Sequence, residues 1–373
     1  MLEDWFSEKL EDRRQKGLFR ILPGERHLVD FASNDYLGLS RHEGLYDRIK
    51  ASLALLPKRN GSTGSRLLSG DSALAAEVEN KLARIFKSKA SLLFSSGYSA
   101  NLAVLSSLPQ KDDTVFYDEL SHASIKDGIR LSLAKKYSFR HNDLADLEKK
   151  ISKSTGKIFV VVESIYSMDG DECPLAELIS LSEKHGFSII LDEAHSTGVT
   201  GPGGAGLCVA KALHERVDIR IYTFGKGMGV CGACVAGSEN LISYLINYAR
   251  PFMYTTAPSQ HTIASIDCAF DFLSENLHLQ ETLRKKIERF VEAAGAFANR
   301  TQSVSAIQTL IIPGNHPVRQ AAKSLQEDGF DVRPIVSPTV PAGTERLRIC
   351  LHVYNSDDEI KSLAKALIAI RGA

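Results

Sequence analysis

Between residues 90 and 225, short apolar runs alternate with stretches of helical periodicity. The runs are Ser91–Phe94, Thr114–Tyr117, Ile158–Val162, Ser188–Leu191 and Ile219–Thr223. Runs apolar on both faces predict strands covered from both sides, and the helical stretches between them predict βα units. The expected class is therefore α/β, with a mostly parallel central sheet flanked by helices. Upstream, Leu74, Val78, Leu82 and Ile85 recur at helical spacing, with Glu77 and Lys81 placed as an i,i+4 ion pair. The charge-rich residues 1–20 predict an exposed N-terminal helix that stops near Gly17.

The last ~115 residues carry a different pattern. Leu283, Ile287, Phe290, Val291 and Ala294 mark one amphipathic helix, and Pro317 to Gly329 marks a second. The strict alternation from Arg346 to Val353 predicts a half-buried strand whose polar face carries Arg346, Arg348 and His352. Ser356-Asp357-Asp358-Glu359 is a capping box that opens a final helix through Ile360, Leu363, Leu367 and Ile370. We divide the chain into an N-terminal segment (1–35), a large α/β domain (36–255) and a smaller α+β C-terminal domain (256–373). No linker-like tract separates them, so the units should share an interface.

Composition narrows the function. The 373 residues hold 45 basic and 45 acidic side chains, a net charge of zero. That balance lacks the electrostatic footprint of a nucleic-acid or anionic-membrane binder. No apolar run approaches the ~20 residues of a spanning helix. The first residues lack the basic and apolar regions of a signal peptide, and six cysteines in this length make no dense disulfide framework. A cytoplasmic enzyme acting on small molecules, without a nucleic-acid or membrane partner, is the expectation.

In open α/β sheets, ligands bind outside the carboxyl ends of the strands, so the residues following each run carry the chemistry. Asp192-Glu193-Ala194-His195-Ser196-Thr197-Gly198 follows one run, and Phe224-Gly225-Lys226-Gly227-Met228-Gly229 another. A lysine between glycines at a sheet edge has room for its amine to react. Ser95-Ser96-Gly97-Tyr98-Ser99-Ala100-Asn101 turns into a helix whose N-terminal amides can cradle an anion. Asp118–Ser124 and Glu163–Gly170 complete the set. The five ends bring together an anion cradle, two histidines, two carboxylates, hydroxyls and one lysine. That donor set suits a cofactor with a phosphate, a basic ring nitrogen and an aldehyde, and pyridoxal 5′-phosphate (PLP) has all three. A lysine supplies the Schiff base, an aspartate keeps the ring nitrogen protonated, and a histidine can stack on the ring.

Three motifs read as decoys. Asp192-Glu193-Ala194-His195 spells a helicase-type signature, but no G-x-x-x-x-G-K-[ST] loop lies upstream. Gly201–Gly206 matches G-x-G-x-x-G literally, yet it does not follow a strand directly and contains Pro202. Cys231-Gly232-Ala233-Cys234 has no second pair and sits in what reads as a tightly packed strand of small buried residues. His27, His42, His185, His214, His261 and His278 read as surface or packing residues.

From Ser33-Asn34-Asp35-Tyr36-Leu37-Gly38-Leu39 to Pro338-Thr339-Val340-Pro341-Ala342-Gly343-Thr344, the chain resembles the α-oxoamine synthases, a family of fold-type-I PLP enzymes. The stretches around Asp192 and Lys226, with Ser121–Ser124 and Tyr166–Asp171, carry the likeness. Ala75, where relatives often have His, and Tyr98, where Phe is commoner, depart from the family pattern. The resemblance implies Lys226 as the Schiff-base lysine and acid/base at the substrate α-carbon. It places Asp192 at the pyridinium nitrogen, His195 at the ring's phenolic oxygen and His122 stacked on the ring. Gly97, Tyr98, Ser167 and Thr223 match cofactor contacts, and Thr255 or Thr256 a contact to a partner subunit's phosphate in a homodimer. Arg348 matches the grip on the amino-acid carboxylate, with Asn34, Thr339 and Arg20 as substrate contacts. Within the family, the resemblance points to condensation of L-alanine with a pimeloyl thioester. The alternative is a sibling that joins glycine or serine to another acyl-CoA.

Overall fold

The computed structural model describes all residues except 23, 25, 26, 153, 296–300, 302 and 373. Its strands are β1 (Val29–Asp30), β2 (Ala90–Phe94), β3 (Thr114–Asp118), β4 (Lys135–Phe139), β5 (Ile158–Glu163), β6 (Ser188–Asp192), β7 (Ile219–Thr223), β8 (Ala233–Gly237), β9 (Ile307–Ile311), β10 (Phe330–Asp331), β11 (Arg333–Ile335) and β12 (Arg346–Cys350). The five apolar runs are β2, β3, β5, β6 and β7. They lie in one seven-stranded sheet of order β2-β8-β7-β6-β5-β3-β4. Only β8 runs antiparallel to its neighbours.

Side-chain alternation divides this sheet's packing cleanly. Leu92, Val115, Val161, Ile190, Ile221 and Val235 face Val104 and Ile129 on one side. On the other side, Phe116, Val160 and Leu191 face Leu147 and Leu178, while Leu93, Tyr222 and Cys234 face Val78 and Leu82. Both faces are buried, which is why the strands read as continuous apolar runs. Edge strand β4 escaped that pattern because Lys135, Lys136, Tyr137 and Ser138 are exposed.

The C-terminal unit is a three-stranded antiparallel sheet of order β11-β12-β9. Helices His278–Ala294, Asn315–Glu327 and Asp357–Gly372 belong to the same unit. Leu283, Phe290, Leu325, Leu347 and Leu363 join one continuous core with Phe31, Leu37 and Leu93, so the two units share their interior. Strand β1 pairs in parallel with β10, tying the N-terminal segment to this unit. The exposed N-terminal helix spans Leu2–Gln15, and the capping box forms, with Ser356 N donating to Glu359 Oε2 at 2.7 Å. No described helix is long and apolar enough to cross a membrane.

Three expectations need correction. The strand at Arg346 ends at Cys350, not Val353, and all five residues are buried. Its arginines face the 166–171 turn of the large sheet: Arg346 Nη1 pairs with Asp169, and Arg348 Nε donates to the Ser167 carbonyl at 2.6 Å. Alternation there reflected a polar interface inside the protein, not a solvent face. Lys81 does not pair with Glu77. It reaches Asp267 at 2.7 Å and Asp271 at 2.6 Å on a neighbouring helix. Cys231 is exposed, while Cys234 is buried as expected.

Candidate active site

A cavity of about 360 Å3 opens at the carboxyl edge of the large sheet. Lys226, His122, Asp192, His195, Gly97, Tyr98, Thr223 and Asn34 all line it.

Asp192 ends β6, in register with Glu163 at the end of β5. Its Oδ1 accepts the Ala194 amide at 2.8 Å, and its Oδ2 accepts Asn101 Nδ2 at 2.7 Å. Asn101 Nδ2 also donates to Ser124 Oγ at 3.1 Å. Ser124 in turn contacts His122 Nδ1 through its Oγ at 2.8 Å and its amide at 3.2 Å. Because the amide can only donate, Nδ1 is the bare nitrogen and a neutral His122 carries its proton on Nε2. Burial, helped by Lys226 and Lys126, lowers the His122 pKa and favours that neutral form. The ring is exposed to the cavity, leaving a flat face open. Beneath it, Glu163 accepts the His122 amide at 2.5 Å. Burial first, then neighbouring Asp192, pushes the Glu163 carboxyl up to about 8.

Lys226 sits in the tight connection from β7 to β8. Phe224 N donates to Gly232 O at 2.9 Å, and Val230 N to Phe224 O at 3.0 Å. Gly229 has φ +66°, and a Cβ there would meet Ser40 N at 2.3 Å, so only glycine lets this loop seat against Leu39–Ser40. Burial lowers the Lys226 pKa, with Arg348 adding to it, against the pull of Asp192 and Glu163. A lysine shifted this way has more free amine near neutral pH than a surface lysine.

The opposite end is built for an anion. Ser96 caps helix Gly97–Ser107 in a reciprocal box with Ser99, and the first-turn amides of a helix have no partner within it. A Cβ on Gly97 would lie 2.3 Å from Thr223 Cγ2, so glycine is needed to bring this helix onto the end of β7. Thr223 Oγ1 is buried without a hydrogen-bond partner among the described residues. A phosphate at the helix start would satisfy both it and the amides.

His195 Nδ1 lies 2.7 Å from the Tyr36 hydroxyl, which is 3.1 Å from Asn34 Oδ1. Arg348 Nη2 donates to the same Asn34 oxygen at 2.9 Å, bringing the buried guanidinium to the cavity's edge. Burial, with Lys226, Arg348 and His122 nearby, holds the His195 pKa well below its usual value. Glu193 turns the other way and accepts the amides of Leu207 at 2.9 Å and Cys208 at 2.8 Å. The Asp-Glu-Ala-His run is thus two cavity groups separated by a structural helix cap. Ser167 is buried behind Arg348. Thr255, Thr256, Thr339 and Arg20 are exposed and lie outside the lining of this cavity.

Sequence reasoning assigned no role to Asn101, Ser124, Glu163 or Tyr36. Each lies inside a stretch already singled out, but nothing in residue type alone says which member of a strand-end run turns inward.

The donor set fits PLP: an amine that reacts with an aldehyde, a carboxylate across from it, a flat imidazole and an anion cradle at one end. The family described as Aminotransferase class I and II matches residues 26–367. The chain is 37% identical to the 8-amino-7-oxononanoate synthase of Emericella nidulans, over 98% of this chain and 95% of that protein. It is 35% identical to the one from Marinobacter nauticus, over 98% and 96%. Among solved structures, S. paucimobilis serine palmitoyltransferase with bound PLP and myriocin superposes with TM-score 0.88 at 26% identity, covering 98% of this chain and 96% of that one. The 8-amino-7-oxononanoate synthase of Francisella tularensis superposes with TM-score 0.79 at 29% identity, covering 92% and 97%. A sheet of this order, a site with this donor set and full-length likeness to these enzymes agree, and the chain belongs to the class I and II aminotransferase family of fold-type-I PLP enzymes, in its α-oxoamine synthase branch.

Proposed function

We propose that this chain condenses L-alanine with a pimeloyl thioester, releasing 8-amino-7-oxononanoate, CO2 and the free thiol carrier, as a homodimer. The observation that carries the reading is the half-buried Lys226 and the buried Asp192 lining one cavity at the sheet edge, in a chain that matches 8-amino-7-oxononanoate synthases end to end. PLP supplies an aldehyde for amine attachment and an electron sink for charge developing at the substrate α-carbon.

The chain's own residues then divide the work. The Gly97 and Tyr98 amides and the Thr223 hydroxyl hold the phosphate. Asp192, fixed by Asn101 and Ala194, sets a negative charge at the ring nitrogen. His122 covers the ring, and His195 donates to its phenolic oxygen. Arg348 holds the amino-acid carboxylate beside Asn34, oriented by its bond to the Ser167 carbonyl. Lys226 removes the proton from the α-carbon. That carbon bonds to the thioester carbonyl carbon, the C–S bond breaks and the thiol leaves. The carboxylate carbon then departs as CO2, and Lys226 returns a proton to the α-carbon. Thr255 or Thr256, exposed and outside the lining of their own chain's cavity, contact the partner's phosphate in this reading. Arg20 beside the acyl substrate and Thr339 are the remaining substrate contacts in this reading.

Borohydride reduction of the loaded enzyme is expected to add mass on the peptide containing Lys226, and Lys226→Ala to add none. A reduced adduct on another lysine overturns the assignment. Thiol release and product mass across L-alanine, glycine and L-serine, each with pimeloyl-, acetyl- and palmitoyl-CoA, test the substrates. Turnover with alanine and pimeloyl-CoA alone supports the reading. The superposition on a serine palmitoyltransferase favours the sibling reaction as runner-up, and turnover confined to serine with palmitoyl-CoA would establish it. Against it stands the higher identity, 35–37%, to the two 8-amino-7-oxononanoate synthases.

A further inference from the structure

Tyr36 stands between the two ends of the site. It is 1% exposed, so its hydroxyl finds its partners within the protein. A phenol has one proton, a neutral imidazole has one N–H, and an amide oxygen only accepts. Arg348 can only donate, which confirms that the oxygen of Asn34 is the atom facing both Arg348 and Tyr36. Two arrangements remain. Tyr36 can give its proton to Asn34 Oδ1 and accept from His195 Nδ1–H, leaving Nε2 bare. Alternatively it gives its proton to Nδ1, and Nε2 carries the hydrogen.

We propose that Tyr36 is a positioning residue whose hydroxyl donates to His195 Nδ1, holding the imidazole in the tautomer that presents Nε2–H to the cavity. Asn34 Oδ1 accepts from Arg348 Nη2 at 2.9 Å and so keeps a partner when the Tyr36 proton goes to His195. Arg348 also donates toward the Tyr36 oxygen, which therefore does not depend on a proton from Nδ1. The contact to His195, at 2.7 Å, is shorter than the one to Asn34. The surrounding charges keep both groups in the required states. Lys226, Arg348 and His122 surround His195 and, with burial, keep it neutral. Burial and Cys350, against Arg348, raise the Tyr36 pKa so that it keeps its proton. Which imidazole nitrogen is protonated is set by the bond at the other, so one hydroxyl decides whether His195 can donate at all.

The inference rests on the reading that His195 meets the phenolic oxygen of PLP, and its test separates the two. In the PLP-loaded enzyme, the pH midpoint of the visible absorption band is compared between wild type and Tyr36→Phe. An imidazole without the donor at Nδ1 is a weaker donor at Nε2, so the midpoint is expected to rise by about one pH unit, a tenfold weaker acid. A fall in the midpoint would assign the opposite tautomer, and no change would remove Tyr36 from the site's electrostatics. Either overturns the proposal. In a His195→Gln background, Tyr36→Phe is expected to add no further shift, and an undiminished shift there also overturns it. Should Tyr36→Phe fail to fold, 15N spectra of histidine-labelled, PLP-loaded wild type decide the matter. An Nε2-protonated His195 supports the proposal and an Nδ1-protonated one sinks it. A wild-type enzyme that forms no borohydride-reducible adduct refutes the PLP reading itself, and with it this inference.

Discussion

Asn101 Nδ2 divides its two hydrogens between Asp192 Oδ2 and Ser124 Oγ, linking the acid on the cavity floor to the histidine above it. Neither Asn101 nor Ser124 need touch a ligand to matter. A donor to a buried carboxylate contributes more than a neutral hydrogen bond, because its loss leaves a charge under-satisfied. Asn101→Leu keeps the branched shape and removes both donors. It is expected to weaken PLP binding roughly 10- to 100-fold, corresponding to about 1.5–3 kcal/mol. Equilibrium titration of the apoenzyme by visible absorbance checks this, and affinity within twofold of wild type would show that Asp192 holds its place alone. Asp192→Asn is the sharper change. It removes the charge opposite the ring nitrogen, and we expect kcat to fall by about three orders of magnitude, since each tenfold loss is only about 1.4 kcal/mol of barrier.

The turn after β5, from Ser164 to Asp171, is the element that joins substrate end to cofactor end, and a histidine pins it. His141 Nδ1 lies 2.9 Å from Asp118 Oδ1 and Nε2 2.8 Å from Asp171 Oδ2, with its ring edge-on to Tyr166. Burial opposes the charge, but the two carboxylates outweigh it and raise the His141 pKa from 6.5 to about 10. The folded value lies above the unfolded one, so the folded state binds the proton more tightly. The contribution is therefore complete below about pH 6.5 and fades as pH rises through about 10. We expect wild type to lose thermal stability between those limits, and His141→Asn to lose about 3 kcal/mol at pH 7 and show a flatter profile over the same window. Parallel melts from pH 6 to 10 with coincident profiles would refute this. Nothing along the sequence marked His141, because it follows an edge strand whose exposed residues carry no apolar run. The interior strands were legible for the opposite reason: two covered faces force short runs with apolar residues at successive positions. Arg346 and Arg348 show the limit of reading alternation. A period of two reports which side chains share a face, and here the polar face met another part of the protein.

Across the whole molecule, the proposed grip on the substrate comes from one unit and the cofactor chemistry from the other. Arg348 belongs to the C-terminal sheet, yet its guanidinium bonds Ser167 of the large unit and Asn34 of the N-terminal segment. Two residues along the same strand, Arg346 pairs with Asp169, and both partners are buried. Because side chains at i and i+2 point the same way, the two arginines dock side by side on the 166–171 turn. The ion pair therefore sets how β12 lies on the large sheet, and with it where Arg348 presents its remaining donors. Removing one partner of a buried pair costs more than the pair's net contribution, because the other charge stays behind. Asp169→Asn keeps the shape and an acceptor oxygen while removing the charge, so the fold should survive with a loosened interface. We expect KM for the amino acid to rise about tenfold, the equivalent of ~1.4 kcal/mol of uniform binding. Affinity for PLP should stay within twofold, since none of the groups lining the cofactor cavity contacts Asp169. Arg346→Lys retains a charge without the planar fork and should fall between the two. A Asp169→Asn enzyme that lost PLP affinity and amino-acid affinity in equal measure would mean that the ion pair supports the fold generally. Loss of the amino acid alone would make the contact between the two units a determinant of substrate binding, set some distance from any reacting atom.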